Sequence, residues 1–206
     1  MFEITSLSIE HLWLSASGVL IAALIGIPIG IILLQIRSLA TPVLGLIDML
    51  QTIPSLAMLA IALYYFGLGN GSLISALVVY SLLPIVRNTY LGLKGVDTNL
   101  IEAGRGMGMT KLQLLWQVQL PIALPVMLSG FRVAMVTAIG IATIGTLIGA
   151  GGLGSPIWRG IQLADNSMIL SAAIPAALLA ILSDVILGTL EKITVPKGLK
   201  TRESVQ

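Results

Sequence analysis

The sequence contains no cysteine, a single histidine and few charged side chains, with 11 Lys and Arg and 9 Asp and Glu among 206 residues. Without cysteine, the chain forms no disulfide, thiolate metal site or cysteine nucleophile. The lone His11 cannot supply the two-histidine motif of a zinc protease. The sequence also shows no acid–base constellation for catalysis, so we predict a protein that is not an enzyme and holds no metal.

Apolar residues make up 56% of the chain, whereas charged residues make up 10%. Soluble domains carry roughly 25% charged residues, so these side chains are too few to cover a globule in water. The formal net charge is only +2, which does not indicate a surface for nucleic acid. We therefore predict an all-α integral protein of the cell membrane, in contact with lipid and not with nucleic acid.

Long segments without charge predict the membrane-spanning helices, since about 20 apolar residues cross the hydrocarbon core. The run from Met49 to Val86 exceeds one crossing, and the turn-forming residues 67–72 divide it into two. The sequence thus predicts five spans within a single transmembrane domain of residues 1–206. They cover approximately residues 12–36, 44–66, 73–91, 123–148 and 168–190.

Basic residues predict the orientation of these spans, because cytoplasmic loops carry an excess of Lys and Arg. The segments on one side hold only Arg159. The segments on the other side hold Arg37, Arg87, Lys94, Arg105, Lys111, Lys192, Lys197, Lys200 and Arg202. We expect the N-terminus to lie outside and the C-terminus in the cytoplasm.

The connection between the third and fourth spans, about residues 93–121, carries helix signals of its own. Asn99 with Glu102, and Thr110 with Gln113, have the spacing of capping boxes, which predicts two short helices. A left-handed turn residue is expected between the two helices. The glycines available there are Gly104, Gly106 and Gly108.

The second of these predicted helices has an apolar side formed by Leu112, Leu115 and Trp116. Pro121 is expected to end this helix at the membrane surface. Physical reasoning leaves two interpretations open: an ordinary connection packed on its own bundle, or an element that docks into another protein. Ordered connections as long as this one tend to be functional.

The segment Glu102-Ala103-Gly104, followed by Gly108 and by Val118-x-Leu120-Pro121, resembles the EAA loop of binding-protein-dependent ABC importer permeases. The pattern of that loop is Glu-Ala-Ala, three residues, Gly, nine residues, Ile, one residue and Leu-Pro. Every spacing matches, with Gly104 in place of the second Ala and Val118 in place of Ile. The five predicted spans also resemble those of the short methionine-importer-like permeases.

The resemblance implies that this loop inserts into a groove of a cytoplasmic ATPase and transmits its closure to the membrane helices. The ATPase, which would bind ATP and Mg, is then a separate polypeptide, because this sequence contains no phosphate-binding loop. No cofactor is expected in this chain itself. The candidate docking residues are Glu102, Ala103, Gly104, Gly108, Leu112, Leu115, Trp116, Leu120 and Pro121.

Polar residues near Pro54 are candidates for a translocation path, since a proline in mid-helix frees a backbone carbonyl. A packed, kinked helix whose hydroxyls bond their own backbone is the alternative. The Gln-Thr-Ile-Pro-Ser stretch resembles permeases of the osmoprotectant branch, which implies glycine betaine, carnitine or choline as the solute. The candidate lining is Gln51, Thr52, Pro54, Ser55, Thr143 and Thr146.

Four ionisable residues fall within predicted spans, where charges are costly and functional roles are common. They are Asp48, Arg87, Arg132 and Asp184. A buried neutralising network and a cytoplasmic gate both remain open. Because lone charges are unfavourable in lipid and these residues lie at similar depths, we expect Arg132 to pair with Asp184 or Asp48.

Residues 149–154 formally match the G-x-G-x-x-G dinucleotide motif, but they follow a predicted membrane helix instead of a strand. We therefore do not interpret them as a nucleotide site. A flexible outer gate, a contact with a binding protein and a plain turn are the interpretations that remain.

These features predict the permease subunit of an ATP-driven importer. Five spans are few to enclose a path, so we expect a dimer with itself or with a related permease. Two ATPase subunits and an extracytoplasmic binding protein would complete the complex. A permease for methionine or another small solute is one alternative. An ATP-independent channel or secondary transporter is another, which inverted repeats with paired broken helices would favour.

Overall fold

The computed structural model describes residues 4–195, and within them the chain folds into helices without a strand. The predicted all-α class is therefore confirmed for this part of the chain. Three basic residues used above for orientation (Lys197, Lys200 and Arg202) and the ends of the predicted 1–206 domain lie outside the described residues. The α-helices are α1 (Ile4–Gln35), α2 (Arg37–Thr52), α3 (Ser55–Phe66), α4 (Asn70–Lys94), α5 (Thr98–Gly106), α6 (Lys111–Gln113), α7 (Leu120–Ile144), α8 (Gly154–Leu163) and α9 (Asn166–Thr194).

Four helical stretches are long and apolar enough to cross a membrane: α1, α4, α9 and the stretch from Lys111 to Ile148 that contains α7. Helices α2 and α3 qualify only together, as a pair bent by 96°. Residues 4–195 therefore provide four or five spans. The predicted span over residues 44–66 falls on this pair, and the helix is broken there because Ile53 adopts an extended conformation before Pro54, which has no N–H to continue the helix.

The other predicted spans differ from the structure mainly at their ends. Helix α1 begins at Ile4 instead of residue 12, so Glu10 and His11 lie within it. Helices α4 and α9 also extend beyond the predicted bounds at both ends. Helix α8, which follows the glycine-rich residues 149–154, has no counterpart in the prediction.

The core of the fold lies where α4 packs between α1 and α7, around the buried Leu77, Ala134 and Ile139. A Cβ atom added at Gly18 would lie 2.5 Å from Cβ of Leu77, and one added at Gly130 would lie 2.4 Å from the carbonyl oxygen of Pro84. Small residues let membrane helices approach each other closely. The glycine at position 18 therefore lets α1 pack closely against α4, and the glycine at position 130 does the same for α7.

Candidate functional site

The connection between α4 and α7 (residues 95–119) begins with α5, whose N-terminus is capped by Asp97. The Asp97 carboxylate accepts a hydrogen bond from the Asn99 N–H at 2.9 Å. The predicted capping box of Asn99 with Glu102 is therefore wrong, because the chain enters the helix two residues earlier. An Asp at this position satisfies an N–H that would otherwise lack a partner.

The second predicted capping box is confirmed. The Gln113 N–H donates to the Thr110 hydroxyl at 3.3 Å, and the Thr110 N–H donates to the Gln113 side-chain oxygen at 2.8 Å. The short helix α6 continues through a π-helical segment, Leu114–Gln119, directly into α7. Pro121 was predicted to end the helix, but it lies in the first turn of α7 and the helix continues. A proline is tolerated there because the preceding turn already departs from α-helical hydrogen bonding.

Of the three glycines predicted to form the turn, only Gly108 lies in it, with a φ of +81° that favours glycine. Gly104 and Gly106 are part of α5. Gly104 is buried, and a Cβ atom added there would lie 2.6 Å from Cδ2 of Leu114 and 3.2 Å from Sδ of Met109. Gly104 therefore packs α5 against the π-helical segment of the same chain.

An exposed apolar surface lies on this connection. The exposed fraction is 65% for Leu112, 63% for Trp116 and 73% for Met107. Sequence periodicity missed Met107, because it lies in the turn and outside the helical stripe. Among the other predicted docking residues, Glu102, Ala103, Gly108 and Pro121 are exposed, whereas Leu115 and Leu120 are half-buried. We call Met107, Leu112 and Trp116 the apolar docking face.

An open polar cleft of about 600 Å³ lies between the α2–α3 break, α4 and α7. The Gln51 side-chain N–H donates to the Tyr80 carbonyl at 2.6 Å, and the Tyr80 hydroxyl donates to the carbonyl of Ile53. These bonds join the end of α2 and the break itself to α4. The predicted residues Gln51, Thr52, Pro54 and Ser55 line the cleft together with residues that the sequence analysis did not assign to a path, among them Tyr80, Arg87, Asn88 and Thr137.

Thr143 and Thr146, the other two candidates for the path, lie in a different cavity. It has a volume of about 580 Å³, lies between α7, α8 and α9, and is lined mainly by apolar side chains that include Trp158. The Thr143 hydroxyl donates to the carbonyl of Gly140 on its own helix, and Thr146 pairs with the Ser155 hydroxyl at 3.2 Å. The predicted lining therefore divides between a polar cleft and an apolar cavity.

The four charged residues form two separate pairs and not the single buried network considered above. Arg87 contacts both carboxylate oxygens of Asp48 at 2.9 and 3.0 Å, and joins α4 to α2. Arg132 on α7 donates to Asp184 on α9 through Nε at 2.6 Å and Nη2 at 2.7 Å. Each of these side chains is at least one-third exposed on the isolated chain.

Arg132 has a second acidic neighbour, Glu191, at 3.5 Å. This contact was not predicted, although Glu191 lies two helical turns after Asp184 and therefore on the same side of α9. Arg132 thus lies between two carboxylates of α9, those of Asp184 and Glu191.

We expect Arg132→Gln to reduce the amount of folded protein more than Arg132→Gln combined with Asp184→Asn. The single change leaves two carboxylates without their cation inside the membrane, where a lone charge is unfavourable. Size-exclusion profiles of detergent-extracted protein should show a several-fold loss for the single variant. Strictly additive effects of the two changes would contradict this pairing.

The glycine-rich residues 149–154 are held to α1 and α4 by hydrogen bonds. The Gly152 N–H donates to a Glu10 carboxylate oxygen at 3.1 Å, and the Gly151 N–H donates to the Asn70 side-chain oxygen at 2.9 Å. The side chain of His11, fully buried beneath Gly152, contacts the Ile139 carbonyl through Nε2 at 3.1 Å. These residues form a fixed turn that connects three helices in this conformation.

Apolar spans packed in a bundle, one of them broken beside a polar cleft, are the architecture of a multi-pass membrane protein. A family model described as "Binding-protein-dependent transport system inner membrane component" matches residues 15–197. The chain belongs to this family. It is a multi-pass protein of the inner membrane, and its part in transport is translocation and not catalysis.

Relatives with related sequences are named as permeases. The glycine betaine/carnitine/choline transport system permease protein OpuCD of Bacillus subtilis is 47% identical over 188 residues, covering 91% of this chain and 82% of OpuCD. The osmoprotectant import permease protein OsmW of Salmonella typhimurium is 43% identical over 202 residues, covering 96% of this chain and 94% of OsmW.

The fold is also found in a solved structure. A chain of the MetNI methionine ABC transporter in an inward-facing conformation superimposes with a TM-score of 0.86, covering 95% of this chain and 98% of that chain. The two sequences are 23% identical. This likeness establishes the permease fold and carries no information about the solute.

Proposed function

We propose that this chain is the permease subunit of an ATP-driven importer for quaternary-ammonium osmoprotectants such as glycine betaine, carnitine or choline. The observation that carries the proposal is the 47% identity over 91% of the chain with a relative named for transport of these three solutes. The second relative, named for osmoprotectant import, supports the same class of solute.

The polar cleft suits such a solute. Its polar lining is mostly neutral and includes Gln51, Thr52, Ser55 and Asn88. A quaternary ammonium has no N–H to donate to such groups. A lining of this kind lets the solute pass without holding it tightly, so we assign most of the selectivity to a separate binding protein.

The apolar docking face is the proposed contact with the ATPase. It is exposed, it lies between two spans, and the Thr110 capping box and the buried Gly104 fix its helices relative to each other. Arg105 and Lys111 on the same connection, and Lys94 at the end of α4, favour the cytoplasmic side, with the N-terminus outside. ATP and Mg would bind to the ATPase subunits.

The complete importer would contain two copies of the ATPase, a second permease subunit and an extracytoplasmic binding protein. The second permease could be another copy of this chain or a related chain. Helix α9 has an exposed apolar side for lipid or for that subunit, formed by Leu170, Ile174, Leu178, Leu182, Ile186 and Leu190.

Uptake by the reconstituted complex tests this function. Proteoliposomes with the permease, its ATPase and its binding protein should accumulate labelled glycine betaine, carnitine or choline only when ATP is supplied. Labelled methionine is the control solute and should not accumulate. Uptake of methionine but of none of the three ammonium compounds would overturn the proposed solute, and uptake without ATP would overturn the proposed importer.

A further inference from the structure

Arg87 differs from the other charged residues of the spans because it lines the polar cleft. Asp48, its partner on α2, and the pair Arg132–Asp184 do not line it. Arg87 lies seven residues after Tyr80 on α4, which places their Cα atoms about 10 Å apart along the helix axis. The cleft therefore has one cationic residue among neutral polar residues.

The contact with Asp48 leaves part of the Arg87 guanidinium free. Both hydrogen bonds to Asp48 come from Nη2, at 2.9 and 3.0 Å. Within residues 4–195, Nε and Nη1 donate to no protein atom. A guanidinium carries five N–H donors in a planar fork that matches a carboxylate. Asp48 thus fixes the position of the group while donors remain for a second anion.

The side-chain exposure of Arg87 agrees with a binding role. The side chain is 46% exposed on the isolated chain, although it lies within α4, a membrane-spanning helix. A charged group in such a helix faces a polar cavity or a partner, because exposure to hydrocarbon is costly. Arg87 lies at such a cavity, because it is part of the lining of the polar cleft.

We propose that Arg87 binds the carboxylate of zwitterionic solutes as they pass through the cleft, while their ammonium group lies among the neutral groups near Tyr80. The proposal rests on the function proposed above, and it separates the solutes that carry a carboxylate from the one that does not. Glycine betaine and carnitine carry a carboxylate together with the quaternary ammonium. Choline carries a hydroxyl in that place and makes no ion pair with Arg87. Arg87 is therefore a specificity-determining residue.

The neutralised pair, Arg87→Gln with Asp48→Asn, tests this assignment. Removing both charges avoids leaving Asp48 unpaired, which would damage the fold for a different reason. We expect the uptake rate of glycine betaine and carnitine to fall about tenfold relative to that of choline, which corresponds to the loss of one charge-assisted hydrogen-bond interaction. The ratio of the rates does not depend on how much protein folds.

Two further variants separate binding from a structural role. Arg132→Gln with Asp184→Asn removes an ion pair outside the cleft and should leave the ratio of uptake rates unchanged. Arg87→Lys keeps the positive charge and should restore part of the preference for the carboxylate solutes. Each binding protein is supplied at saturation with its solute, so that the ratio reports the permease.

Three outcomes would overturn the proposal. Equal losses for choline and for the carboxylate solutes in the neutralised Arg87 variant would show that the pair only stabilises α2 against α4. The same change of ratio in the Arg132 control would show a general effect of charge. If the parent complex imports none of the ammonium compounds, the proposed function itself is wrong and this assignment falls with it.

Discussion

Replacing both Leu112 and Trp116 with serine is expected to leave the protein folded in the membrane and to reduce ATP-driven uptake at least tenfold. Both side chains are about two-thirds exposed, so their removal costs little packing within the chain. An exposed tryptophan that becomes buried in an interface commonly dominates the binding energy. Co-purification of the ATPase and the rate of solute-stimulated ATP hydrolysis should fall together with uptake.

Gly106→Ala is the matched control for this variant. Gly106 belongs to α5 on the same connection, and an added Cβ atom would have no neighbour within 4 Å. This substitution should therefore leave uptake and ATPase association at the level of the parent. If the serine variant also retained its ATPase and its uptake, the apolar docking face would not be the contact.

Replacing Gly130 with alanine is expected to destabilise the fold by about 1–3 kcal/mol, the usual cost of overpacking a tight contact. The added methyl group would lie 2.4 Å from the Pro84 carbonyl oxygen and 2.6 Å from Cβ of Asn88. Neither is the flexible end of a side chain, so α7 would have to move away from α4. Thermal unfolding of the purified protein in detergent should show a lower Tm.

Gly140→Ala makes the same chemical change on the same helix at a site with open space. A Cβ atom there would have no neighbour within 4 Å. The Tm of this variant should stay close to that of the parent, because alanine is at least as good a helix former as glycine. Equal Tm values for the two variants would show that the α4–α7 contact is not tight.

The sequence predicted the class and most of the spans, because charge-free runs and proline or glycine breaks are local signals. The break at Pro54 was visible as a kink, but its 96° angle was not. The end of α2 and the break are bonded to Tyr80 of α4, which lies far from them in the sequence, so local signals could not show how the chain turns there. The short helix α8 was missed because its ten residues are too few to cross a membrane and follow a glycine-rich segment.

For the candidate site as well, the sequence predicted local features and not the contacts between distant segments. The Thr110–Gln113 capping box involves only neighbouring residues, and its pattern was read correctly. At the start of α5, Asp97 and Asn99 were both capping residues by type, and the backbone conformation at Asp97 decided between them. The cleft residues Arg87 and Asn88 could not be grouped with Gln51 from sequence, because only packing brings α4 beside the break.

The helical stretch Lys111–Ile148 carries Leu112 and Trp116 of the apolar docking face and leads through the π-helical segment into α7, and Gly130 lies near its middle, at the close contact with α4. Trp116 and Ile144 lie on either side of Gly130, each about 20 Å away along the helix. In this geometry the close contact at Gly130 is the point about which the helix can tilt. A tilt of about 6° at that point displaces Trp116 and Ile144 by about 2 Å in opposite directions. If the helix tilts as a rigid body, a movement at one membrane face becomes an opposite movement at the other.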